Sequence, residues 1–155
     1  MDQNLVPYII ALIFIIILIV LLIIRFILAQ KMDKGKIYIG NGQTIGRRDE
    51  QDDYFSTTET THGTIAVLAD GISGLANGRM ASTIAVTTFI EEFKKLTTLK
   101  NLPNYFKEAA IASNHMILEN LNGSNGGTTL VTAIIDKEGL LHWGAVGDSV
   151  IKIFR

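Results

Sequence analysis

From Leu5 to Ile24 the chain carries no charged side chain, and Ile, Leu, Val or Phe fills every position except Pro7, Tyr8 and Ala11. Extended through Arg25 to Leu28, a helix here would reach about 36 Å at ~1.5 Å per residue. That is enough to cross a hydrocarbon core of ~30 Å with some tilt. Pro7 falls in the first turn, where its missing N–H does no harm. Arg25, near the far end, can snorkel towards lipid headgroups. A cleaved signal peptide fits less well: "MDQN" has no basic side chain, the apolar run is too long, and no small-x-small site follows. A buried core helix is the remaining alternative for an apolar run.

The reading is an uncleaved single-pass membrane anchor over residues 5–28, preceded by a short extracytoplasmic tail, 1–4. No Lys or Arg precedes the span, whereas Arg25, Lys31, Lys34, Lys36, Arg47 and Arg48 follow it. The positive-inside rule then places the C-terminal portion in the cytoplasm. The absence of cysteine agrees with a reducing compartment. A formal net charge of −1 leaves no electrostatic case for nucleic acid as a partner.

About 120 residues remain after the anchor, room for one modest domain. A linker and first strand occupy residues 29–39, with "AQKMDKGK" polar and "KIYIG" strand-like. "NGQTIG" is rich in turn residues, and "RRDEQDD" leads into "YFSTT", an alternating strand. "TTHG" turns the chain into "TIAVLA", whose short β-branched apolar run suits a strand covered on both faces. From about Asn77 to Leu96 the pattern is helical, with Met80, Ile84, Phe89, Ile90 and Phe93 on one side. A second helix runs from about Pro103 to Leu121, with Gly123 just past its end. "TTLVTAIID", "LLHWGAV" and "SVIKIF" then read as three strands of an antiparallel meander. This order predicts an α+β fold with helices packed on an antiparallel sheet.

Four acidic residues crowd into "DEQDD": Asp49, Glu50, Asp52 and Asp53. Such a cluster is most often a solvated loop neutralised by neighbours such as Arg47 and Arg48. Asp53, however, opens a strand. Asp70 closes another, in "AVLADGISGLANGRMAS", where an Asp-Gly pair by itself reads as a turn and helix cap. Carboxylates at the ends of neighbouring strands can converge, and they then repel unless they share a proton or a cation. Mg²⁺ and Mn²⁺ take oxygen ligands of this kind, with water completing the shell. Gly71 would let a backbone carbonyl approach such an ion with no side chain in the way. Arg48 could grip a phosphate through two parallel hydrogen bonds. Its odd offset from Asp53 requires a bend or bulge between them. "GNGQTIG" lacks the spacing of a dinucleotide fingerprint, and no Walker, His-Glu-x-x-His or Gly-x-Ser-x-Gly sequence occurs. His62, His115 and His142 are scattered and read as ordinary turn, helix and strand residues.

Four stretches taken in order, "GRRDEQDDYF", "AVLADGISGLANGRMAS", "GGTTLVTAII" and "LHWGAVGDSVIKIFR", resemble the metal-dependent PP2C (PPM) family of protein serine/threonine phosphatases. The resemblance covers residues 40–155, read as one phosphatase domain, and excludes the anchor. It implies a partial PP2C-like β-sandwich with two long antiparallel helices on the sheet. Arg48 matches the family's phosphate-binding arginine, Asp53 its first metal-ligating aspartate, Asp70 the metal-bridging aspartate, and Gly71 a glycine that coordinates through its carbonyl. Asp52 falls where the family has a Glu acting through metal-bound water, and Gln51 where it often has Asn. Asp148 matches an aspartate linked to a further, weaker metal site. Ile72, Ser73 and Val150 depart from the family pattern.

The resemblance implies two Mn²⁺ or Mg²⁺ ions, a phosphoprotein substrate, and hydrolysis of phosphoserine or phosphothreonine by a metal-activated water; the anchor would confine it to substrates near the cytoplasmic face. The family's domain continues for about as long again and supplies further metal-binding aspartates. The expectation is therefore a truncated or split member, with a separately encoded C-terminal half as a possible partner. The alternative is a non-catalytic, membrane-anchored regulatory or phosphoprotein-binding module that keeps the fold.

Overall fold

A computed structural model describes residues 5–31, 37–72 and 74–154. The chain divides into two units, Met1–Ile39 and Gly40–Arg155. In the first unit a continuous helix, α1, runs over Val6–Lys31. Its stretch Val6–Ile27 has a mean hydropathy of 3.5, and none of it is buried. Apolar side chains on all sides of a helix suit a lipid-facing segment. By length and composition α1 is a candidate membrane anchor.

The second unit contains β1 (Tyr54–Glu59), β2 (Gly63–Ala69), α2 (Gly78–Lys94), α3 (Leu102–Leu121), β3 (Leu130–Asp136) and β4 (Leu141–Val146). The four strands form one sheet in the order β1-β2-β3-β4, every pair antiparallel. Both helices are thus inserted between two neighbouring strands, and the fold is α+β as expected.

Alternation decides which face of the sheet is covered. On β2, Ile65, Val67 and Ala69 are buried, while Ala66 and Leu68 are exposed. The register pairs Ile65 with Ile134 and Val67 with Thr132, so these four buried residues share one face. The "TIAVLA" strand is therefore covered on one face among the described residues, not on both. The reason is that the helices lie on one side of the sheet.

α2 supplies Ala81, Ala85, Val86, Phe89 and Phe93 to the core, and α3 supplies Tyr105, Ala109, Ile117 and Leu121. Ser113 Oγ donates to the Ala85 carbonyl at 3.5 Å and Tyr105 Oη to the Phe89 carbonyl at 2.8 Å. The Tyr105 ring also meets Phe93 edge-on at 5.9 Å. Rising numbers on α2 thus face falling numbers on α3, so the two helices are antiparallel. Burial pushes the Tyr105 hydroxyl well above its ordinary pKa, which keeps it a neutral donor. Phe89 is 2% exposed and meets the Tyr105 ring edge-on at 6.0 Å. Phe89→Ala is expected to cost about 3–5 kcal/mol, read from the midpoint of urea unfolding.

Two expected strands are absent from the sheet. Among the described residues, 37–40 of "KIYIG" and 149–154 of "SVIKIF" belong to none of the four strands of the sheet. After β4, Gly147 turns at φ +94° and Ser149 is bonded to Thr129. The chain is therefore tied to the start of β3 and does not return along β4 as a hairpin. The expected meander is present for its first two strands only. The expected tail at 1–4, Lys34, Lys36 and Ser73 lie outside the described residues.

Candidate functional site

The β1–β2 register ends on the pair Tyr54↔Ala69. The next residues outward on the two strands are Asp53 and Asp70, so the sheet itself sets two carboxylates side by side. Opposed residues of an antiparallel pair have Cβ atoms about 4.5–5.5 Å apart. Burial raises the Asp70 carboxyl above its ordinary pKa, and the Asp53 carboxyl, within hydrogen-bonding reach, raises it further through contact and charge. The Arg48 guanidinium acts in the opposite direction, and Asp148 adds to the rise. Four of the residues singled out in the sequence are thus electrostatically joined at one end of the sheet.

Each of these residues has a local reason for its position. Gly46 turns at φ +64° and the Arg48 N–H donates to the Ile45 carbonyl at 3.2 Å. This supplies the bend required between Arg48 and Asp53. Gln51 Nε2 donates to Asp53 Oδ2 at 2.9 Å, and Gln43 Nε2 to the Asp53 carbonyl at 3.1 Å. Asp148 follows the Gly147 turn. Asp52 is placed differently from its neighbour. A Cβ built on Gly78 would lie 3.3 Å from Asp52 Cγ, so this carboxyl sits beside the first residue of α2. A carboxylate at a helix N-terminus complements the helix dipole.

The Asp52 carbonyl is a junction. It accepts the Gly71 N–H at 3.3 Å and the hydroxyl of Ser82, a fully buried residue of α2. Arg79 Nη1 reaches the Gln51 carbonyl at 2.6 Å. The first turn of α2 therefore grips the backbone just before β1. Gly71 lies where these segments meet. A Cβ there would stand 2.5 Å from the Gly78 carbonyl carbon and oxygen and 2.8 Å from the Asp52 carbonyl. Three backbone segments converge at Gly71, and this close approach excludes any side chain there.

Asp70 is held from the other side by the start of β3. Its carbonyl accepts Thr128 Oγ1 and the Thr129 N–H, each at 2.9 Å, and its N–H donates to Thr129 Oγ1 at 3.3 Å. Gly71 forms a bridge with Thr128, and the Ile72 N–H reaches the Gly127 carbonyl at 2.9 Å. Asp70 is therefore fixed through its backbone, which leaves its carboxyl free to face Asp53.

The histidines are placed elsewhere. His142 Nε2 lies 2.9 Å from Asp136 Oδ2, and the Glu138 and Leu140 N–H groups also donate to Asp136. The His142 contact, with these N–H groups, holds the Asp136 carboxyl below its ordinary pKa and closes the β3–β4 turn. His115 stands 3.5 Å from Glu119, both exposed on α3.

Sequence reasoning gave no role to Gln51, Arg79, Ser82, Thr128, Thr129 or Ser149. A signal existed for Gln51, because residues two apart in extended chain share a face. The others depend on which strand end meets which helix, which local spacing does not encode.

Among the described residues no group of three or more His, Cys, Asp or Glu side chains converges. The chemistry on offer is a carboxylate pair next to a backbone carbonyl, with an arginine at hand. Oxygen donors of this kind suit hard divalent cations, and the crowding of negative charge on Asp70 is what such a cation would offset. Residues 43–155 match a family model described as Protein phosphatase 2C. No curated protein matches the chain.

Proposed function

The chain belongs to the protein phosphatase 2C family, and on that premise we propose that it is a membrane-anchored, metal-dependent protein serine/threonine phosphatase. One observation carries the reading: the register that ends at Tyr54↔Ala69 brings Asp53 beside Asp70 at one end of the sheet, where Arg48 and Asp148 also act on the Asp70 carboxyl. Asp53, Asp70 and the Gly71 carbonyl would hold Mn²⁺ or Mg²⁺, with Asp52 acting through water and Asp148 serving a further weak site. Bound ions would supply Lewis-acid activation of water and neutralise phosphate charge. Arg48 orients the phosphate of phosphoserine or phosphothreonine by paired hydrogen bonds. The Thr128–Thr129 backbone clasp keeps Asp70 in place while charge redistributes. α1 tethers this domain to the membrane, and the basic residues that follow the span orient it towards the cytoplasm. Substrates would then be phosphoproteins near that face.

The test uses the full chain in lipid nanodiscs and a phosphothreonine peptide. Hydrolysis is expected with Mn²⁺ and none with a chelator. Arg48→Ala should lower kcat/KM by about 10²–10³-fold, the usual effect of removing one preorganised donor to a transferring phosphoryl group. Peptide binding without hydrolysis, and without Mn²⁺ uptake in calorimetry, would replace this reading with that of a phosphoprotein-binding module.

A further inference from the structure

We propose that Thr129 is a positioning residue for Asp70, and that Ser149 joins it in a two-hydroxyl bridge between the Asp148 turn and the end of β2. The inference rests on reading Asp70 as a metal-holding carboxylate. Thr129 meets Asp70 twice, accepting its N–H at the side-chain hydroxyl at 3.3 Å and donating its own N–H to the Asp70 carbonyl at 2.9 Å. A hydroxyl has one proton and two acceptor lone pairs. Thr129 Oγ1 can therefore take the Asp70 amide and still bond to Ser149 Oγ, which lies 2.6 Å away.

The other half of the Thr129 side chain is also engaged. A Cβ built on Gly147 would meet Thr129 Cγ2 at 2.9 Å and its Cβ at 3.0 Å. The turn at Gly147 therefore packs directly on the threonine methyl and β-carbon, while Ser149 bonds the hydroxyl. Asp148 lies between these two residues. Its position near Asp70 follows from one side chain, Thr129, gripping the turn on both sides of it. Thr129 is not a member of the hydrophobic core. Its interactions point instead at the two aspartates, one through the Asp70 amide and one through the residues flanking Asp148.

Partners of this kind, one bond removed from a metal ligand, typically change metal affinity by about 10–100-fold when removed. Thr129 offers two clean controls: valine keeps the branched volume and loses the hydroxyl, whereas serine keeps the hydroxyl and loses the methyl. The experiment compares the full chain in nanodiscs with Thr129→Val, Thr129→Ser and Ser149→Ala. Mn²⁺ affinity is measured by calorimetry and exchange of the Asp70 amide by hydrogen–deuterium exchange without metal.

Thr129→Val is expected to weaken Mn²⁺ binding by about 10–100-fold and to speed Asp70 amide exchange, with Thr129→Ser restoring both. Ser149→Ala should weaken binding less, because the Asp70 bonds to Thr129 survive. Thr129→Val binding Mn²⁺ as tightly as the parent chain would overturn the proposal, as would Thr129→Ser behaving like Thr129→Val. If the parent chain takes up no Mn²⁺, the metal reading itself fails. Unchanged Asp70 exchange in Thr129→Val would then sink the positioning role independently.

Discussion

Gly71→Ala is expected to lower the stability of the Gly40–Arg155 unit by about 3–4 kcal/mol. Overpacking a tight site costs about 1–3 kcal/mol, and each backbone hydrogen bond broken to relieve it adds about 1 kcal/mol. The added methyl would stand 2.5 Å from the Gly78 carbonyl and 2.8 Å from the Asp52 carbonyl, and all of these atoms are backbone. No side-chain rotation can relieve the clash. Either α2 moves off its first turn, or Gly71 gives up its bond to Asp52 and its bridge to Thr128. Gly42 has open space around it and no positive φ, so Gly42→Ala should stay within about 0.5 kcal/mol. Urea unfolding of the two variants, followed by Trp143 fluorescence, makes the comparison. Equal midpoints would show that the junction at Gly71 yields more easily than its geometry implies.

Asp70→Asn should move activity and stability in opposite directions. Asp70 binds its proton more tightly in the folded chain than in the unfolded one, because burial and Asp53 both disfavour its charge. Its contribution to stability is therefore fully present below the unfolded carboxylate pKa of about 3.9 and is lost as pH rises through the folded value. At neutral pH the metal-free protein carries the whole penalty. The neutral amide removes it, so the variant should melt at a higher temperature than the parent chain at pH 7. That advantage should shrink as pH falls towards about 4. Mn²⁺ at 100 times its Kd should stabilise the parent chain by about 2.7 kcal/mol and leave the variant unmoved, reversing the order. Phosphopeptide hydrolysis by the variant should fall by about 10³-fold or more, since Lewis-acid assistance supplies several kcal/mol of the barrier. Thermal melts at several pH values, with and without Mn²⁺, check the first part and steady-state kinetics the second. A variant less stable than its parent at pH 7 without metal would contradict the electrostatic account.

Local patterning was enough to place β1, β2, both long helices, β3 and β4: β2, β3 and the helices bury residues against the core, and β1 and β4 carry strand-type residues bounded by turns. The helix from about Asn77 begins at Gly78, and the one from about Pro103 begins at Leu102. "SVIKIF" has the alternation of a strand, but alternation cannot say whether a partner is beside it, and the Thr129–Ser149 contact takes the chain elsewhere. Asp53 and Asp70 were legible together because both sit at strand ends. What sets them side by side, rather than as two separate turn residues, is the register Tyr54↔Ala69, a property of the pairing. The lack of a side chain at Gly71 is visible in the sequence, and the fold gives it a further reason, since three backbones meet there. Thr129 and Ser149 carry no local signal, because they meet through a contact between the start of one strand and the turn after another.

The insertion of both helices between β2 and β3 also sets an order of assembly. β1 and β2 can pair across a short turn, which brings Asp53 and Asp70 together at little entropic cost. The clasp on Asp70 from Thr129 spans 59 residues of chain, and such distant contacts reward the chain only after loop-closure entropy has been overcome. The two carboxylates should thus meet early in folding, against their mutual repulsion, and be locked late, when β3 docks. Mutations at Thr128 and Thr129 should accordingly speed unfolding more than they slow folding.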